Sequence, residues 1–135
     1  MKQVRVLIER GEDGTYGAYM PDDDGLNYGI IGDGNTVEEA KQDFMNVYRD
    51  MKKSFEEDGK YFEEVNFVFS YDVPSFLAYY SGKLTLAGLE RITGVARGQL
   101  SHYVTGRRNP SKRTAEKIEK ALHKFGEDLS HVNFV

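Results

Sequence analysis

The chain has 135 residues, with 18 Lys+Arg against 22 Asp+Glu and no cysteine. Without cysteine there is no disulfide framework, thiolate metal site or cysteine nucleophile, and no stretch approaches the roughly 18 apolar residues that read as a membrane span. The net charge of −4 hides a division: residues 1–72 carry 8 basic and 17 acidic side chains, a net of −9, and residues 73–135 carry 10 and 5, a net of +5.

That asymmetry predicts two units meeting different partners. Units of this size bury only about 60% of their unfolded surface, so a homodimer or higher oligomer is expected. The first ten residues carry charge inside their apolar stretch and have no small-residue cleavage site. No secretory leader is expected, and the expected location is cytoplasmic.

Val4, Val6 and Ile8 alternate with Arg5, Leu7 and Glu9. This period of two predicts a strand with one buried face. Gly11 to Gly14 suits a hairpin turn, and Thr15 to Met20 reads as the returning strand, ended by Pro21. Asp22-Asp23-Asp24-Gly25 is a polar loop. Tyr28 to Ile31 reads as a short third strand and Gly32 to Asn35 as a turn. Thr36 with Glu39 has capping-box spacing. Val37, Ala40, Phe44, Val47, Tyr48, Met51 and Phe55 then give a long amphipathic helix ending near Glu57. Val65, Phe67, Phe69 and Tyr71 alternate as a fourth strand. The expected first unit is β-β-β-α-β, a sheet with one helix across a face.

Asp72 to Ser75 marks the boundary, and the remainder reads as helices. Phe76, Leu77 and Tyr80 suggest a short one. Thr85 can cap a second, carrying Leu86, Leu89 and Ile92 and stopped by Gly94. A third runs from about Ala96 to Thr105 with Leu100, Tyr103 and Val104 inward. A fourth starts at Pro110 and carries Ile118, Ala121, Leu122 and Phe125. The apolar tail, Leu129 to Val135, is either a strand at a dimer interface or a segment packed on its own unit. The fold class is α+β, with an all-α second unit.

Two short helices joined by a tight glycine-containing turn make a helix-turn-helix, whose second helix can enter the DNA major groove. Leu89 to Val95, Ala96 to Tyr103 and the Gly106-Arg107-Arg108-Asn109-Pro110-Ser111 tail have this layout. Over about residues 74–125 the sequence resembles the Cro/C1-type (XRE) DNA-binding domains. The resemblance implies that the outward residues of the third helix read double-stranded operator DNA: Arg97, Gly98, Gln99, Ser101 and His102. Arg97 can fork onto guanine O6/N7 and Gln99 onto adenine N6/N7. Gly98 leaves one reading position empty, and His102 faces either solvent or DNA. Phosphate contacts are expected from Thr85, Arg107, Arg108, Asn109, Lys112 and Arg113. From Arg97 to Arg113 there are five basic residues and no acidic one, an electrostatic footprint for a polyanion. Glu90 departs from the family pattern, which has a small residue against the turn.

In the first half, Tyr16-Gly17-Ala18-Tyr19-Met20-Pro21-Asp22 and Gly34-Asn35-Thr36-Val37-Glu38-Glu39-Ala40 resemble the HicB antitoxins. These have a Y-x-A-x-x-P-D strand end followed by G-x-T-x-E-E-A at a helix start. The resemblance covers about residues 3–72 and implies a partial ribonuclease-H-like fold. It also implies a partner, a small basic HicA-like toxin that cleaves mRNA. Tyr19, Asp22, Asp23, Asp24 and Asp33 are the candidate toxin contacts. A domain of charge −9 is steered toward a protein that must itself grip RNA.

Two other readings stay open. One is a repressor whose first unit senses a small molecule or another protein. The other is a ribonuclease-H-like nuclease, which needs several carboxylates converging on metal. Only Glu9 and Asp72 fall at the ends of predicted strands, and the EF-hand spacing is absent around Asp22 to Asp24. No catalytic residue, metal site or cofactor is expected.

Overall fold

A computed structural model describes residues 1–135, which divide into two units, Met1–Asp72 and Val73–Val135. The first contains β1 (Gln3–Arg10), β2 (Tyr16–Tyr19), β3 (Ile31–Gly34), α1 (Val37–Glu57) and β4 (Asn66–Tyr71). The strand order is β3-β2-β1-β4. β1 is antiparallel to β2 and parallel to β4, and β2 is antiparallel to β3.

The period-two pattern of β1 buries Val4, Val6 and Ile8 completely, and Tyr16 and Ala18 of β2 join them. Against this face lies the apolar stripe of α1, with Val37, Ala40, Phe44 and Tyr48 buried. Phe44 meets Phe67 and Phe69 of β4 edge-on, at 4.9 and 5.7 Å, a favoured geometry for aromatic pairs. Thr36 begins α1 as expected: its hydroxyl accepts from Glu39 N at 3.1 Å, and the Glu39 carboxylate reaches back to Asn35 N at 2.7 Å.

The third strand lies later than the sequence suggests. It is Ile31–Gly34, so Gly32 and Gly34 are strand residues and not a turn. Both are glycine because α1 passes directly over them. A Cβ on Gly32 would lie 2.5 Å from Phe44 N, and one on Gly34 2.6 Å from Ala40 N. Tyr28 is not in a strand. Its ring stacks on Phe62 at 4.4 Å, and its hydroxyl donates to the Glu63 carbonyl at 2.6 Å. An aromatic cluster with Tyr48 and Phe55 thereby anchors the loop before β3.

The second unit is helical: α2 (Val73–Tyr80), α3 (Leu86–Thr93), α4 (Arg97–Val104) and α5 (Lys112–Ser130). Its core is Leu77, Leu89, Val95, Leu100, Tyr103 and Ile118. Three boundaries differ from expectation. α2 begins at Val73 and absorbs Pro74 and Ser75, since proline is tolerated in a first helical turn. α5 is capped by the Ser111 hydroxyl, which accepts from Thr114 N at 3.1 Å, and Pro110 precedes it. α5 also continues to Ser130, and the last residues form no strand. Leu129 thus extends the helix's apolar stripe, and Val132, Phe134 and Val135 are exposed.

Candidate nucleic-acid interface

The turn between α3 and α4 spans Gly94, Val95 and Ala96. Gly94 takes a left-handed backbone (φ 73°), and its N–H closes α3 onto the Glu90 carbonyl at 2.8 Å. Only glycine adopts that conformation without a Cβ penalty. Val95 then drops into the core. The buried Thr93 hydroxyl donates to Leu89 O and accepts from Val95 N, so one side chain ties the turn to the body of α3.

Leu100 and Tyr103 bury one face of α4. The opposite face exposes Arg97, Gly98 and Gln99 at its N-terminal end, with Ser101 and His102 half-buried farther along. The predicted base-reading set is therefore divided: three positions are exposed, and two sit at the margin of the core.

Beyond α4, Gly106 (φ 77°) turns the chain. The Thr105 hydroxyl donates to the Ser101 and His102 carbonyls, and Arg108 N donates weakly to His102 O at 3.4 Å. This fixes a loop that exposes Arg107, Arg108 and Asn109. Lys112 and Arg113 are exposed in the first turn of α5. Thr85 is the N-cap of α3, its oxygen accepting from Gly88 N at 3.0 Å, which leaves its hydroxyl hydrogen available to a phosphate. The expected phosphate contacts are thus gathered at three places in the second unit: the start of α3, the loop after α4 and the start of α5.

Sequence reading missed one participant. Ala96, the N-cap of α4, has no side chain to cap with. Glu90, on the preceding helix, supplies the cap. Its carboxylate accepts from Arg97 N at 2.7 Å and from the Arg97 guanidinium at 3.3 Å. The backbone hydrogen bond from Arg97 and the adjacent guanidinium hold the Glu90 carboxyl below its ordinary pKa. The available signal was the coincidence of a non-capping residue at position 96 with an acid six residues before it.

This arrangement defines a DNA-binding helix-turn-helix. Residues 81–124 match the helix-turn-helix family model, and the match supports a DNA-binding transcription regulator of the Cro/C1 type. No match to a curated protein or to a solved structure was found. No helix is long and apolar enough to cross a membrane.

The first unit presents a different surface. Alternation in β1 turns Arg5, Leu7 and Glu9 away from α1. The registers then set Ile31, Tyr19, Leu7 and Ser70 side by side across four strands, with Val68 opposite Arg5. Ile31 and Val68 are 68% and 46% exposed, large values for apolar residues. Carboxylates rim this open face. Glu9 accepts from the Tyr19 hydroxyl at 2.9 Å. That bond, followed by burial, raises the Tyr19 pKa. Asp33 lies beside Gly17, and Asp22 makes a two-pronged pair with Arg5 at 3.0 and 3.1 Å.

Of the candidate toxin contacts, Tyr19, Asp22 and Asp33 are thereby associated with the open face. Asp23 instead holds Gly25 N at 3.0 Å, and the Asp24 carbonyl accepts from Lys2. Glu9 and Asp72 come at matching ends of β1 and β4. No group of three carboxylates or histidines able to hold a metal ion forms anywhere in the chain.

Proposed function

We propose that the protein is an antitoxin that represses its own operon. The second unit binds operator DNA as a symmetric dimer, and the first unit neutralises a small basic HicA-type mRNA interferase. The observation that carries the DNA part is the exposed Arg97-Gly98-Gln99 edge of α4, flanked by the basic loop and the start of α5. Two such helices about 34 Å apart would enter successive major grooves. The toxin part is supported by the HicB-like strand end and helix start, the strand-strand-strand-helix-strand order and the charge of −9 on residues 1–72. The sheet face turned away from α1 is the contact surface in this reading. Its apolar row, Ile31, Tyr19 and Leu7, offers contact area, and its carboxylate rim offers complementarity to a basic partner. Toxin and operator then meet on one chain, so repression responds to toxin level.

Fluorescence anisotropy with the duplex upstream of the protein's own gene tests the DNA part. Arg97→Ala is expected to cost about 1–3 kcal/mol and relax base preference, whereas Arg108→Ala weakens all sequences and lowers the salt slope by about one. If neither variant changes binding, α4 is not the reading helix. Co-expression with the product of the adjacent reading frame, followed by pull-down, tests the toxin part. A basic protein of roughly 60 residues retained by the wild type and lost with Tyr19→Ala plus Asp33→Lys is the expected result. Undiminished retention by that variant would move the contact off the sheet face.

A further inference from the structure

We propose that Glu90 is a positioning residue for DNA recognition, setting the base preference of Arg97 while itself contacting no base. The inference rests on the DNA-binding reading of the second unit.

Arg97 is the first residue of α4, and the side chain of its flanking N-cap, Ala96, makes no capping bond. Glu90 reaches across the turn and does two things with one carboxylate. One oxygen takes the Arg97 backbone N–H at 2.7 Å, and the other takes the guanidinium Nη2 at 3.3 Å. The first bond fixes where α4 starts. The second fixes which way the Arg97 side chain leaves it. Arginine carries five N–H donors in a planar fork, and a single bond to Glu90 leaves four. A guanidinium held in one orientation reads a guanine edge as a fork. The same group released into solvent is a mobile charge on a long stem, equally attracted to any phosphate.

The carboxylate also bears on affinity through its sign. It is a negative charge beside the surface expected to meet phosphates, and it partly neutralises the only arginine of α4. Glu90 therefore opposes sequence-independent binding while supporting sequence-dependent binding. Its removal is expected to move the two in opposite directions. A residue that merely stabilised the fold would move both down together, and this contrast separates the two roles.

The experiment uses the full chain. Duplexes are enriched from a randomised pool with the wild-type protein. Anisotropy then gives Kd for the enriched duplex, for its single-base variants and for a scrambled duplex, using wild type, Glu90→Ala, Glu90→Gln, Arg97→Ala and the Glu90→Ala/Arg97→Ala pair. Discrimination at the base read by Arg97 is expected to fall about tenfold in Glu90→Ala, within the range a lost guanine fork spans. Affinity for the scrambled duplex is expected to hold or rise, with a salt slope steeper by about one as Arg97 turns to phosphate. Glu90→Gln, whose amide oxygen can still accept the Arg97 N–H, is expected to keep part of the discrimination. Adding Glu90→Ala to Arg97→Ala is expected to change discrimination no further.

Undiminished discrimination in Glu90→Ala and Glu90→Gln overturns the proposal. So does an equal loss in the Arg97→Ala background, or a parallel loss of specific and scrambled binding. If Glu90→Ala fails to fold by circular dichroism, Glu90→Gln alone decides. Failure of the wild type to enrich any duplex refutes the DNA-binding reading itself, a result distinct from failure of the Glu90 variants.

Discussion

Gly32→Ala is expected to destabilise the first unit severely, although it adds one methyl group to a strand. A Cβ at this position would lie 2.5 Å from Phe44 N, 2.6 Å from Ala40 O and 2.8 Å from Phe44 Cα. Carbon contacts are comfortable at about 3.5–4.0 Å, so the overlap is about 1 Å. All three atoms are backbone of one helix, and no side chain can rotate away to relieve it. β3 must move off α1 and loosen the packing of Ala40 and Phe44, both completely buried. Overpacking costs about 1–3 kcal/mol, and the all-backbone clash puts this case near 3 kcal/mol. For a unit of this size that lowers the midpoint by about 15 °C. Thermal unfolding followed by near-ultraviolet circular dichroism suits the assay, because the chain has nine tyrosines and no tryptophan. Gly29→Ala is the control: nothing lies within 4 Å of its Cβ position, so a change within about 0.5 kcal/mol is expected. A Gly32→Ala midpoint within about 3 °C of wild type would refute the close-approach account of β3.

Gly98→Ala is expected to act in the opposite direction. Its Cβ would meet open space in α4, so stability should rise by about 0.5–1 kcal/mol in urea unfolding. Tyr28 has its pKa pushed up to about 12, chiefly by burial. The folded chain holds this proton where the unfolded chain has lost it, so the Tyr28 contribution is full below pH 10 and disappears between pH 10 and about 12. A falling urea midpoint across that window, flattened in Tyr28→Phe, checks it. Lys112→Glu is expected to stabilise α5 by about 0.3–1 kcal/mol, through a negative charge at its N-terminus, while weakening DNA binding in the same anisotropy titration. Sedimentation equilibrium is expected to show a dimer, with Leu129→Ser plus Phe134→Ser shifting it toward monomer, since these side chains are 54% and 94% exposed.

Where structure follows a local period, the sequence reveals it. Val4, Val6 and Ile8 announce β1, and the stripe from Val37 to Phe55 announces α1, because burial of one face imposes a spacing. β3 has no such period. Its glycines answer to a helix that follows them in the chain, and taken alone they carry the chemistry of a turn. Tyr28 misleads for the same reason: its partners are Phe62 and the Glu63 carbonyl, more than 30 residues away. The outward edge of α4 is legible because Leu100 and Tyr103, three apart, fix which face is inward. Glu90 is not, since its role depends on a turn bringing position 90 beside position 97.

The ends of the helices carry the charge division down to single residues. α1 opens with Glu38 and Glu39 in its first turn, acids at the positive end of the helix dipole. α3, α4 and α5 have no acid in their first turns, and α5 opens instead on Lys112 and Arg113. Two cations at a helix N-terminus forgo stabilisation of about 0.3–1 kcal/mol each, which a sequence selected for stability alone would not retain. The same placement leaves positive helix ends and basic side chains together, the combination that receives phosphate oxygens. Glu90 is bound to the Arg97 N–H and its guanidinium, so it orders the reading helix at the cost of one local charge. Three of the ten basic residues of the second unit, Arg97, Lys112 and Arg113, thus stand where its helices begin, and the net of −9 on the first leaves its open sheet face rimmed by Glu9, Asp22 and Asp33.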